Sequence, residues 1–240
     1  MIRCNLILFF AFLYNSAVTQ TLVVTYRGAE KFPTEAIDFM PGLAAIDVSY
    51  YSGLQTDGKR SRRQLDSLVI HNYGHNGNKI LIRQALYLDY TTDRTYQVSA
   101  HFPLGQADIK VLSEQYQRVE EYEWTDQTRE ILGIPCLLAR HKINGTEVWY
   151  APSIPYPNGP DRFTWGFPGL VLATDRPTYS QLATKIEYRN SPVDIPHLEQ
   201  ISTNKMPDLL GARDVSSLSP DEYLILNALQ PKNVALTFDD

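Results

Sequence analysis

Thr146–Ala173 reads TEVWYAPSIPYPNGPDRFTWGFPGLVLA. It holds Pro152, Pro155, Pro157, Pro160 and Pro168, five of the chain's 15 prolines, and Trp149 and Trp165, two of its three tryptophans. Tyr150, Tyr156, Phe163 and Phe167 are interleaved with Gly159, Gly166 and Gly169. Proline fixes φ and narrows the unfolded ensemble. Glycine opens backbone angles that other residues resist. A solvated linker has no use for so many large rings. The segment therefore reads as a stiff, folded loop between two strands, Glu147–Ala151 and Leu170–Thr174. Its rings either plug a sheet or rim a groove.

Outward from this loop the chain alternates between β-prone runs and turn signals. Upstream, Thr21–Arg27, Ile46–Tyr51, Leu65–Ile70, Lys79–Tyr90 and Thr95–Phe102 read as strands, and Ile109–Leu112 is a short apolar run. Gln115–Trp124 reads as a strand rather than a short helix, and Cys136–Ile143 as a strand or helix closed by the Asn144-Gly145 turn. Downstream, Gln181–Tyr188 is a further strand. Thr34–Phe39 reads as a helical turn. Gln55–Arg63 reads as a polar loop with its turn at Asp57-Gly58. The sum is about ten short strands separated by turns, which predicts a mainly β domain, an antiparallel curved sheet or open half-barrel. A two-layer α+β arrangement is the competing fold. From Asn190 the character changes. Pro192, Pro196 and Pro207 space an irregular link, and Ser219-Pro220-Asp221-Glu222 forms a capping box that starts a short C-terminal helix over Pro220–Leu229.

The first 20 residues have the layout of a secretory leader: Arg3, then the apolar core Leu6–Leu13, then the small-residue exit Asn15-Ser16-Ala17. Cleavage after Ala17 or Gln20 leaves a β-rich domain over 21–190 and an extension over 191–240. Without Arg3 the chain has 21 basic against 27 acidic residues, so its formal charge moves from −5 to −6. A uniformly basic nucleic-acid surface does not fit that balance. No later apolar run reaches membrane-spanning length. Cys4 goes with the leader, so Cys136 stands alone without an intrachain disulfide. Its neighbours Ile134, Pro135, Leu137 and Leu138 mark it as a buried apolar residue.

Glu147–Ala173 resembles the signature of the GLPGLI family of exported bacterial proteins. The naming motif stands as Gly166-Phe167-Pro168-Gly169-Leu170-Val171, with Phe for Leu and Val for Ile. Trp149-Tyr150, Ile154-Pro155 and Gly159-Pro160-Asp161-Arg162-Phe163 match the upstream pattern. Gly133, Cys136 and Ala139 match an earlier Gly-x-x-Cys-x-x-Ala element. The likeness runs over about Trp124–Tyr188. It implies a single-domain protein of the periplasm or cell envelope, with no catalytic residues and no cofactor to carry over. It also implies outer-membrane transport proteins as a partner class.

Candidate chemistry is sparse. His71 and His75 have the spacing of metal ligands, with Asp66, His101 or His141 as third donors. Yet Asn72, Gly74, Asn76, Gly77 and Asn78 between and around them read as a hairpin tip. A Cys136–His141 dyad is disfavoured, because residues five apart on a strand face opposite sides. Glu120-Glu121 and Asp239-Asp240 read as solvated faces. The cluster Lys59, Arg60, Arg62 and Arg63 reads as a soluble loop, with contact to anionic lipid or polysaccharide as the alternative. Asn144-Gly145-Thr146 and Asp66-Ser67-Leu68 are glycosylation-like tripeptides. Trp149, Tyr150, Tyr156, Phe163, Trp165 and Phe167 are the candidate ligand- or partner-binding residues. The expected function is a non-enzymatic binding or carrier module for a hydrophobic small molecule or lipid. The alternatives are docking on outer-membrane transport machinery, and a metal protein or enzyme.

Overall fold

The computed structural model describes residues 20–32, 34–39, 47–71, 81–89, 94–102, 106–112, 119–161, 163–193, 195–196, 219–220 and 233–236. These residues are mainly β. Strands β1 (Thr21–Glu30), β2 (Asp47–Thr56), β3 (Arg60–His71), β4 (Leu81–Asp89), β5 (Arg94–Phe102) and β6 (Gln106–Leu112) form one run. Strands β7 (Tyr122–Ile131), β8 (Ile134–His141), β9 (Glu147–Ala151), β10 (Leu170–Asp175) and β11 (Tyr179–Arg189) form the other. The spatial order is β6-β5-β4-β3-β2-β1-β11-β10-β9-β8-β7, so consecutive strands pair within each run and β1 joins β11. β6 and β7 are the edges of this open sheet. The exposed Glu123, Asp126, Arg129 and Glu130 keep the β7 edge soluble.

Local chemistry explains the turns. Between β2 and β3, Asp57 Oδ1 accepts the Lys59 and Arg60 amides at 2.9 and 2.7 Å, and Thr56 Oγ1 accepts the Gly58 amide at 3.2 Å. This Asx-type turn ends at Lys59. Arg60, Arg62 and Arg63 therefore lie in β3, not in the expected soluble loop. The β7–β8 turn, Leu132-Gly133, has φ of 55° and 75°, the geometry that matches the twist of a two-residue hairpin. Thr34–Phe39 forms a single short helix, α1, as its sequence suggested. At 119–124 the expected strand divides. Val119–Glu121 is a 3-10 turn, and the strand begins at Tyr122 and runs on to Ile131.

The leader, the 72–80 hairpin tip, Asp239-Asp240 and most of the expected Pro220–Leu229 helix lie outside the described residues. The extension nevertheless contributes a strand that the sequence did not announce. β12 (Asn233–Leu236) runs parallel to β3, pairing with Ser67–Ile70. β4 pairs with β3 only over Arg60–Gln64, so β12 occupies the remaining edge of that strand. Ser67 is thus flanked on both sides, by Tyr51 and Asn233.

β10 pairs with β11 only over Ala173–Asp175. Beyond that, Leu170 and Leu172 join Leu22, Val24 and Leu54 in one buried cluster with Tyr26, Ile131, Cys136, Ala151, Ile154 and Ala183. The sheet therefore folds across itself, and this cluster is the main core. A second cluster holds Tyr122, Ala139, Val148, Tyr150, Phe167 and Val171. In β9, Val148 and Tyr150 belong to the second cluster while Ala151 belongs to the first, as strand alternation requires. Burial on both faces explains why every residue of Leu170–Thr174 is buried. Among the described residues, no helix is long and apolar enough to cross a membrane.

Candidate functional site

The 152–169 loop is tied to the strand it leads into. The Leu170 amide donates to the Ile154 carbonyl at 3.0 Å, and the Val171 amide to the Asn158 carbonyl at 2.8 Å. Gly166 donates to Pro157 at 3.1 Å. Two of the motif glycines leave no room for a side chain. Gly169 has φ of 152°, and a β-carbon there would stand 2.3 Å from the Ala151 carbonyl oxygen. A β-carbon at Gly159 would stand 2.5 Å from Thr164 Oγ1 and 2.7 Å from Val171 Cβ.

A polar clasp holds the centre of the loop. Asn158 is fully buried, and its Oδ1 accepts the Gly159 amide at 3.0 Å and an Arg63 N–H. Arg63 also donates to the Asp161 carbonyl. The Asp161 carboxylate accepts Arg176 Nε at 3.1 Å, Tyr179 Oη at 2.8 Å and the Phe163 amide at 2.7 Å. Arg176 lies 4.8 Å over the Phe163 ring. Burial lowers its tendency to hold a proton, but Asp161 and the phenols of Tyr179 and Tyr122 outweigh this and raise its pKa. Burial likewise holds the phenols of Tyr26, Tyr50 and Tyr179 well above their ordinary value. A carboxylate bonded to this many internal donors is a fastener.

The expected aromatic site divides between core and surface. Phe167 is fully buried and Tyr150 is 6% exposed. Phe167 meets Tyr122 edge to face at 5.1 Å and Trp124 at 5.8 Å. Trp149 and Tyr156 are half-buried and pack on the main core, Trp149 beneath Arg129 at 4.7 Å. Phe163 and Trp165 are half-buried. Gly159, Pro160, Gly169 and Leu170 are buried; Gly166 and Pro168 are exposed. Trp124 is 47% exposed, and its ring stands edge-on to Tyr150 at 5.5 Å.

Cys136 is 1% exposed, and burial raises its thiol pKa against the pull of Arg129. It sits in the main core, while His141 stands 5.0 Å from Tyr122 in the other cluster, so the two form no dyad. His141 Nδ1 accepts the Ile143 and Asn144 amides at 3.2 and 3.4 Å, and Nε2 faces Glu121 Oε2 at 3.3 Å. It is the fastener of the β8–β9 turn. Thr146 in that turn is fully buried and Asn144 exposed. His71 ends β3 opposite Asp47, and His101 lies on β5 opposite Ile82. His75 lies outside the described residues. Asp66 Oδ1 accepts Gln64 Nε2 at 3.1 Å. Among the described residues no three His, Cys, Asp or Glu side chains group as metal ligands.

Asp161, Arg176, Tyr179 and Arg63 were invisible as a unit in the sequence. Asp161 stood only as a variable position of the Gly-Pro-x-x-Phe pattern, 98 residues from Arg63. Trp124 was legible only as one ring among charges.

No protein-family model matches this chain, and the search of curated proteins returns no match. Among solved structures, the chain is similar to PNGF-II in its P21 crystal form, with a TM-score of 0.47 and 16% identity over 73% of this chain and 29% of that one. The C2 crystal form of PNGF-II gives 0.44 and 14% over 91% and 31%. The chain thus spans less than a third of that protein's length.

Proposed function

We propose that this chain is an exported cell-envelope protein of the GLPGLI type, a non-enzymatic module that docks a protein partner beside the proline-rich loop. The observation that carries the reading is Trp124. It stands 47% exposed on the edge strand β7, propped from beneath by the buried rings of Tyr150 and Phe167. An indole already held in one orientation loses little freedom on binding, and such rings anchor interfaces. The outer edge of β7 has no strand partner among the described residues, and an extended segment of a partner can join it. The resemblance makes outer-membrane transport machinery the partner class. Crosslinking in the native envelope tests this. One dominant partner is expected with wild type and with Tyr188→Ala, and its loss with Trp124→Ala. A partner captured equally by all three removes the reading.

A hydrophobic-carrier role is the second reading, in which the half-buried rings of Trp149 on β9 and Tyr156 in the loop, which lie against the main core, would meet the ligand. Native mass spectrometry of protein from its host separates the two: a carrier co-purifies with an acyl-chain compound, and a docking module shows the bare polypeptide mass. Metal analysis under zinc-replete conditions addresses His71 and His75, where near-zero occupancy removes the metal reading.

A further inference from the structure

Strand alternation divides the basic run of β3 between two faces. Arg63 turns to the loop. Arg62 turns the other way, into a cross-strand row with Gln55 of β2 and Tyr87 of β4, which lie directly opposite it. Arg62 Nη2 donates to Gln55 Oε1 at 3.1 Å. Its Nε–H is buried without a hydrogen-bond partner, and so is the hydroxyl of Tyr87, on a ring with no exposed surface. Asp57 pairs with Arg60 at 3.6 Å, and Asp66 accepts from Gln64. Among the described residues Arg62 therefore has no carboxylate partner.

Two neighbouring polar groups, one of them cationic, are both unmet, and they do not bond each other. Buried donors are nearly always matched, and each exception calls for a cause. A buried phenol can donate one hydrogen bond, and a guanidinium Nε–H can donate only along its own fixed direction. One oxygen of an anion set between them satisfies both and supplies the missing counter-charge. We propose that the Arg62–Tyr87 row is an anion-binding site, which takes a carboxylate or phosphate oxygen between Arg62 Nε–H and Tyr87 O–H. The site lies on the face opposite the loop clasp and does not rest on the docking role of Trp124.

The same chemistry is offered by a small free oxyanion and by the head group of an acyl-chain acid. Thermal unfolding at matched ionic strength, in chloride, acetate, inorganic phosphate or decanoate below micelle formation, distinguishes them. Phosphate also stabilises proteins by exclusion, so the readout is the difference between wild type and variants. Acetate or phosphate is expected to raise the wild-type Tm beyond that of Tyr87→Phe and Arg62→Gln. In Tyr87→Phe the apparent affinity is expected to weaken about tenfold, the loss of one hydrogen bond to a charged group. In chloride, Tyr87→Phe is expected to match or exceed wild type, since it deletes an unmet donor. Decanoate acting at lower concentration than acetate marks a head-group site; equal concentrations mark a free-oxyanion site. An Arg62 Nε–H NMR resonance that moves with added anion reports binding without any variant. Equal Tm shifts in all three proteins, or a stationary Nε–H resonance, overturn the proposal.

Discussion

Arg62 and Arg63 are adjacent on one strand and lie on faces with different tasks. On the Arg63 face a loop is clamped down. Arg63 reaches Asn158 and Asp161, Arg176 and Tyr179 close on the same aspartate, and Phe167 is driven into a ring cluster. On the Arg62 face the neighbouring side chains are Gln55, Gln64 and Asp66, and two buried donors lack acceptors. The difference teaches that, in a sheet, parity along the strand assigns a side chain its role. One guanidinium became an internal strut and the next a donor awaiting a partner, with no change in residue type.

The contrast can be broken most forcefully from the loop side. Phe167→Ala removes a fully buried ring and is expected to cost about 3–5 kcal/mol in urea unfolding. Arg63→Ala removes both hydrogen bonds that a buried guanidinium makes to the loop, at Asn158 Oδ1 and the Asp161 carbonyl. Its expected cost is roughly 2–4 kcal/mol by the same measurement. If it is tolerated as easily as a surface change, the clasp does not hold the loop.

Alkaline pH sharpens the comparison from both sides. The Tyr87 phenol is pushed up to about 12 by burial, against the pull of Arg62, and those of Tyr26, Tyr50 and Tyr179 rise further. In the unfolded chain these groups ionise near pH 10. The folded state keeps the proton longer, so its stability is whole below about pH 10 and falls as pH climbs through the folded-state values. Ultraviolet titration is expected to show late phenols that ionise together with unfolding, one fewer in Tyr87→Phe. The smallest effect belongs to Arg62→Gln, expected within about 0.5 kcal/mol of wild type in chloride buffer. A larger loss makes Arg62 a structural strut like its neighbour.

Much of this architecture was legible in the chain. Runs such as Thr21–Arg27, and the Asp57-Gly58 and Asn144-Gly145 turns, marked strands and hairpins because local sterics and side-chain hydrogen bonds act over a few residues. The burial of Cys136 followed from its apolar neighbours. Strand β12 was not legible, because four residues, Asn233–Leu236, carry little pattern of their own and become a strand only against the open edge of β3.

The candidate site was legible in part. The proline, glycine and aromatic content of 152–169 announced a stiff folded loop, and the glycine requirements follow from the approach of the Ala151 backbone at Gly169 and of the Thr164 and Val171 side chains at Gly159. Which rings fill and which face solvent depended on strand parity and on the bulge at Leu172, where β10 leaves its register with β9. The basic cluster was misassigned for the same reason: four charges look alike until a strand sends alternate ones to opposite faces. The sequence by itself determined a mainly β chain with a preorganised aromatic loop, since propensity and turn chemistry are local. Only the tertiary structure decided that Arg63 closes on Asp161 while Arg62 and Tyr87 share an unmet need, since those relations join strands far apart in the chain and exist only once the sheet has assembled.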